Sequence, residues 1–178
     1  MKDLLLKIIL FLLALFIFFW LYQDAERDDR GEIMSAGNVD AMSLRVGDCF
    51  NDVATKNIVE DEVIEVSSVE GVPCSTPHLS EVFAQSSSLF NDYNSHPDEE
   101  TLSNNSYDYC SEQLPLFLSL DLFSEQADTQ IEEFNNKITL NFYYPTEEGW
   151  RSGDRSVDCI ITSKGEDLLI SYKDIYKN

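Results

Sequence analysis

Two groups of residues have the types and spacing that chemistry needs. Cys74, Ser75, Thr76, Pro77 and His78 place a thiol close to an imidazole, a pair that could donate to zinc or begin a Cys–His nucleophile. Structural zinc takes four ligands, commonly in close pairs. No second close pair exists here, because Cys49, Cys110 and Cys159 are scattered and His96 lies in a polar stretch. A catalytic thiol must also stay reduced, and its histidine needs an orienting third group. The expectation is no metal, with His78 a turn residue after Pro77, hydrogen-bonded to a neighbour such as Glu81. The second group is Trp150, Arg151 and Arg155. Packed inward, Trp150 would cover a hairpin or disulfide while Arg155 clamps a carboxylate bidentately. Turned outward, the three would join His78 in a recognition patch for a glycan or partner protein.

Other chemistries fail on spacing. Asp92 to Pro97 opens like a calcium loop, but Pro97 stands at the sixth position where a turn glycine is needed. Ser103 stands at the twelfth, where a bidentate glutamate belongs. No G-x-S-x-G, phosphate-loop or dinucleotide fingerprint occurs, so neither an enzyme nor a cofactor is expected. Twelve Lys and Arg against 33 Asp and Glu give a net charge of -21. That balance excludes a nucleic-acid-binding module built on a basic surface.

The elements that position these residues begin with an apolar run at positions 4–22, interrupted only by Lys7. As a helix it would be roughly 28 Å long, close to the roughly 30 Å of a bilayer core. Lys2 and Lys7 favour a cytoplasmic N-terminus, and Trp20 and Tyr22 suit the outer interface. The run ends in bulky residues rather than in the small ones of a cleavage site. Residues 1–22 therefore read as a cytoplasmic stub and an uncleaved transmembrane signal anchor. Residues 23–43 read as a polar tether, and residues 44–178 as an extracytoplasmic domain.

Within that domain Val66, Val69 and Val72, with Val63 and Ile64, mark one or two strands ending at Pro73, and residues 81–85 another. Ile138, Leu140 and Phe142 alternate with Thr139, Asn141 and Tyr143, and Val157, Cys159 and Ile161 alternate with Ser156, Asp158, Ile160 and Thr162. These last two strands are natural antiparallel partners across the connection 145–155. Residues 98–118 predict a helix, with Asp98, Glu99 and Glu100 at its start, and Pro115 ending or kinking it. The expected fold is α+β, a small mainly antiparallel sheet with one or two helices. On the oxidising side of a membrane, Cys49, Cys74, Cys110 and Cys159 are expected in two disulfides. Of the three pairings, Cys49 with Cys74 and Cys110 with Cys159 is preferred. The first pair flanks the N-terminal β region, and the second would staple the helix to the C-terminal hairpin.

Five linked patterns stand out: Leu44 to Phe50, then Val72, Pro73, Cys74, Pro77 and His78, then Glu81 to Phe83, a lone Cys110, and Trp150, Gly153, Asp154, Arg155, Val157 and Cys159. Together they resemble the septum formation-related domain family over roughly residues 44–162. Leu79 departs from the acidic residue this family often carries after the histidine. The resemblance implies a membrane-anchored extracytoplasmic protein, a non-catalytic interaction module of the cell envelope linked to cell division. Its partner would be an envelope or divisome protein, or cell-wall glycan. A wall-associated enzyme or zinc-binding factor using Cys74 and His78 is the alternative.

Overall fold

The computed structural model describes residues 2–21, 23–51, 66–119, 132, 134, 136–165 and 167–172. The strands expected at Val63 and Ile64 lie outside these residues. Among them, six strands form one sheet: β1 (Gly37–Asp40), β2 (Cys49–Asn51), β3 (Ser68–Val72), β4 (Ser80–Ser86), β5 (Ile138–Tyr143) and β6 (Val157–Ser163). Their order is β1-β3-β2-β4-β6-β5, and every neighbouring pair is antiparallel. Helix α1 spans Lys2–Leu21, α2 spans Glu99–Phe117 and α3 spans Glu147–Arg151.

Period-2 alternation gives the sheet two buried faces. On β6, Val157, Cys159 and Ile161 join Phe83, Leu102, Cys110 and Trp150 in one apolar cluster against α2. Ile160 points the other way, into a second cluster with Ile33, Val39, Leu44, Phe50, Val69 and Val82. A register shift between Val82 and Ala84 on β4 leaves Phe83 as the extra residue, so Phe83 and Ala84 both pack on the first cluster while Val82 serves the second.

Helix α2 begins where Asp98 accepts a hydrogen bond from the Thr101 backbone N–H at 2.9 Å, the capping arrangement that satisfies an orphan donor. Leu102, Ser106 and Cys110 recur every four residues and form its buried stripe. Pro115 lies in the last turn, and the helix stops at Phe117. Leu118 then buries itself, and Ser119 takes a positive φ of 54°.

The disulfides join Cys49 to Cys74 and Cys110 to Cys159. The second ties the middle of α2 to the middle of β6, while the first ties β2 to the chain just after β3.

Two expectations change. Residues 23–43 are not a free tether, because β1 pairs with β3 along four residues and forms the edge of the sheet. Ala25 donates to the Asn38 carbonyl at 3.0 Å, and Ile33, Val39 and Ala41 are buried. Gly71 makes this possible: a Cβ there would stand 2.5 Å from Val39 Cγ2 and 2.8 Å from Ile33 Cδ1. The connection between β5 and β6 also carries a helix, α3, whose first turn Thr146 caps by accepting from Gly149 N–H at 3.0 Å. Among the described residues no helix is long and apolar enough to cross a membrane; the side chains described on α1 are those of residues 6–15.

Candidate functional site

The chemically richest location surrounds the first disulfide. Cys49 opposes Glu81 across the β2–β4 ladder, so their side chains share one face of the sheet. His78 sits just before β4 and exchanges backbone hydrogen bonds with Leu168, N–H to carbonyl at 3.1 Å and the reverse at 2.7 Å. Ligand-type atoms of Cys49, His78 and Glu81 lie within 4.8 Å of one another, and all three residues are buried.

The roles of these side chains differ from those expected. The Nδ1 of His78 lies 2.8 Å from the Thr76 carbonyl. Since a carbonyl can only accept, Nδ1 carries the proton and Nε2 is left with its lone pair. Among the described residues that Nε2 is buried without a hydrogen-bond partner, and Thr76, not Glu81, is the neighbour that holds the ring. Glu81 instead pins the C-terminal segment, accepting from Ser171 Oγ at 2.6 Å and from the Tyr172 backbone N–H at 2.8 Å. Beside it opens a cleft of about 430 Å³, lined by Val46, Gly47, Glu81, Leu116, Phe117 and Ser171 among others. Gly47 has a φ of +93°, in the region that favours glycine, and its carbonyl lies 3.4 Å from Cys74 Sγ.

Trp150 occupies a different place. It is 7 % exposed, with the Arg155 guanidinium 3.3 Å above its ring and His96 edge-on at 5.5 Å. Arg155 donates to the carbonyls of Trp150 at 3.0 Å and Asp154 at 2.6 Å. It therefore clamps backbone, not the carboxylate expected. Arg151 is exposed and paired with Glu147 one turn away at 2.5 Å. His78 is 0 % exposed just before β4, while Trp150 belongs to the apolar cluster against α2 and is 7 % exposed, so neither offers its ring to solvent. Trp150, Arg151, Arg155 and His78 thus do not form one recognition patch. Trp150 and His78 are both buried, so for Trp150 the inward-packed reading holds and the outward one does not.

A third polar group escaped the sequence reading. Arg27 forms a bidentate pair with Asp48, 2.6 Å and 2.7 Å, while the Arg45 backbone N–H donates to the same carboxylate at 2.8 Å. Hydrogen bonding to Asp48 holds the Arg27 guanidinium above its ordinary range. Nearby on β6, Asp158 accepts from Gln85 Nε2 at 2.6 Å. Burial pushes its carboxyl up to about 6, helped by the charges of Asp154 and Asp48 and opposed by the Gln85 bond. Arg27 had no visible partner in a segment read as a tether. The signal available was Gly31, a turn residue four positions after Arg27 in a segment that also holds Asp28 and Asp29.

These positions coincide with the linked patterns of the sequence. Leu44 to Phe50 builds β2 and the Asp48 anchor, Cys74 to Glu81 builds the disulfide and its buried histidine, and Trp150 to Cys159 builds the Arg155 stack and the second disulfide. No curated protein and no solved structure matches the chain. Residues 46–173, most of its length and the whole of the arrangement just described except the N-terminal edge, match the family described as Septum formation, and the chain belongs to that family.

Proposed function

We infer that this protein is a membrane-anchored, extracytoplasmic interaction module of the cell envelope with a role in septum formation, and that it acts by binding rather than by turnover. The observation that carries this reading is the pair of disulfides built into the fold, with Cys49, Cys110 and Cys159 all 0 % exposed. Crosslinks so placed are made in an oxidising compartment, which is where proteins outside the cytoplasm fold. The apolar run at positions 4–22 supplies the anchor. Family membership supports the connection with division. A strongly acidic surface disfavours anionic lipid and keeps the domain off the bilayer, available to a protein or glycan partner.

The test is protease added to intact cells producing the full chain with a C-terminal tag. Loss of the tag from the full-length band, without lysis, is expected; a tag protected until the membrane is permeabilised overturns the topology. Deleting the gene should then disturb septum formation, and a deletion strain complemented by the His78→Asn chain should divide normally if no turnover depends on that imidazole.

A further inference from the structure

We propose that reduction of the Cys49–Cys74 disulfide converts its surroundings into a four-ligand zinc site formed by Cys49, Cys74, His78 and Glu81. Two observations on the oxidised form point there. The ligand-type atoms of Cys49, His78 and Glu81 already lie within 4.8 Å of one another. His78 is 0 % exposed and among the described residues leaves Nε2 buried without a partner, while Nδ1 is committed to the Thr76 carbonyl at 2.8 Å. A backbone carbonyl on one nitrogen fixes the tautomer and raises the basicity of the other, which is how metal-ligating histidines are held.

Cys49 and Cys74 are bonded in the oxidised form, so neither sulfur is a thiolate and the site is closed. Cys74 is the half-exposed partner and Cys49 the buried one. An external dithiol attacks Cys74 Sγ as its thiolate. The S–S bond breaks, and Cys49 leaves as a thiolate beside His78. The second thiol of the reagent then resolves the mixed disulfide, so the protein gains two electrons and the dithiol becomes a disulfide. Zinc takes both cysteines as thiolates and sends their protons to solvent. Zinc with bonds of about 2.0–2.3 Å holds its ligands roughly 3.2–3.8 Å apart, so the atoms of Cys49, His78 and Glu81 need to close by no more than about 1.5 Å. The cleft bordered by Gly47, Glu81 and Ser171 gives the ion a path. Glu81 is buried with a carboxylate oxygen inside that group of ligand-type atoms.

The experiment uses the full chain in mild detergent, reduced with a water-soluble dithiol until alkylation and mass mapping show Cys49 and Cys74 free. The Cys110–Cys159 pair is buried on both sides and is the slower to open. Zinc is titrated against a competing chromophore, and cobalt(II) replaces it as a spectroscopic probe. One zinc per reduced chain is expected, with tetrahedral cobalt bands and thiolate charge transfer, and none in the oxidised chain. His78→Asn keeps a donor toward Thr76 and removes the Nε2 lone pair; it should weaken binding more than about 100-fold. Glu81→Gln serves as the second variant and should change the cobalt spectrum. The proposal is overturned if the reduced chain takes up no stoichiometric zinc, if it unfolds with zinc present, if the oxidised chain binds equally, or if both variants match the parent.

Discussion

Asp158→Asn should stabilise this protein at neutral pH and leave it unchanged in acid. Asp158 is 5 % exposed on β6, its carboxyl is raised from an ordinary 3.8 to about 6, and its hydrogen bond comes from Gln85 Nε2 at 2.6 Å. Burial is the largest cause, so the folded state prefers the neutral acid. A carboxyl whose folded value exceeds its unfolded value contributes its full stability below the unfolded value and loses it as pH rises through the folded one. The window therefore runs from about pH 4 to about pH 7. A difference of about two pKa units corresponds to about 3 kcal/mol in favour of the neutral form. Asparagine keeps the acceptor for Gln85 and has no charge to desolvate. Urea unfolding of both chains, disulfides intact, at intervals from pH 4 to pH 8 gives the comparison. The two free energies should converge near pH 4 and separate by about 3 kcal/mol, asparagine higher, above pH 7. Taking the difference removes the titration of the other carboxylates, which both chains share. A difference that stays flat across the series, or an asparagine variant less stable at pH 8, would mean that Asp158 is not held neutral by burial.

Three further outcomes follow from contacts already described. Gly71→Ala places a Cβ 2.5 Å from Val39 Cγ2, so thermal unfolding should show about 1–3 kcal/mol of destabilisation, with hydrogen exchange rising first in β1. Arg27→Met leaves Asp48, whose side chain is 3 % exposed, without its charge partner; a loss of about 3–5 kcal/mol in urea unfolding is expected, against the near-zero effect that a tether residue would give. Replacing Cys110 and Cys159 together by alanine opens a loop of 49 residues, which should lower stability by about 4 kcal/mol through the freed unfolded chain.

What could be read from the sequence was whatever repeats along the chain. β5 alternates over six residues, β6 carries Val157, Cys159 and Ile161 at every second position, and the start of α2 is written in Asp98, Glu99 and Glu100. The cysteine pairing followed from placing those elements. β1 is only four residues, with Val39 its one buried side chain, too short to carry a period; it exists because β3 offers a ladder and Gly71 offers room. The same limit applies to the sites. Residue types singled out His78 and Trp150 as polar or aromatic donors, but burial decides what each can do. His78 is enclosed by a backbone pairing with Leu168, ninety residues away, and Trp150 is roofed by Arg155. Glu81 was visible within its motif, yet its partners Ser171 and Tyr172 come from a segment that no local pattern connects to it.

Two disulfides hold the fold, and under the proposed function they form outside the cytoplasm. Cells quenched in acid, with the chain denatured and alkylated before and after reduction, test it most directly by intact mass. No alkyl group should be added before reduction and four after it, one at each of Cys49, Cys74, Cys110 and Cys159. Four groups added before reduction would contradict it.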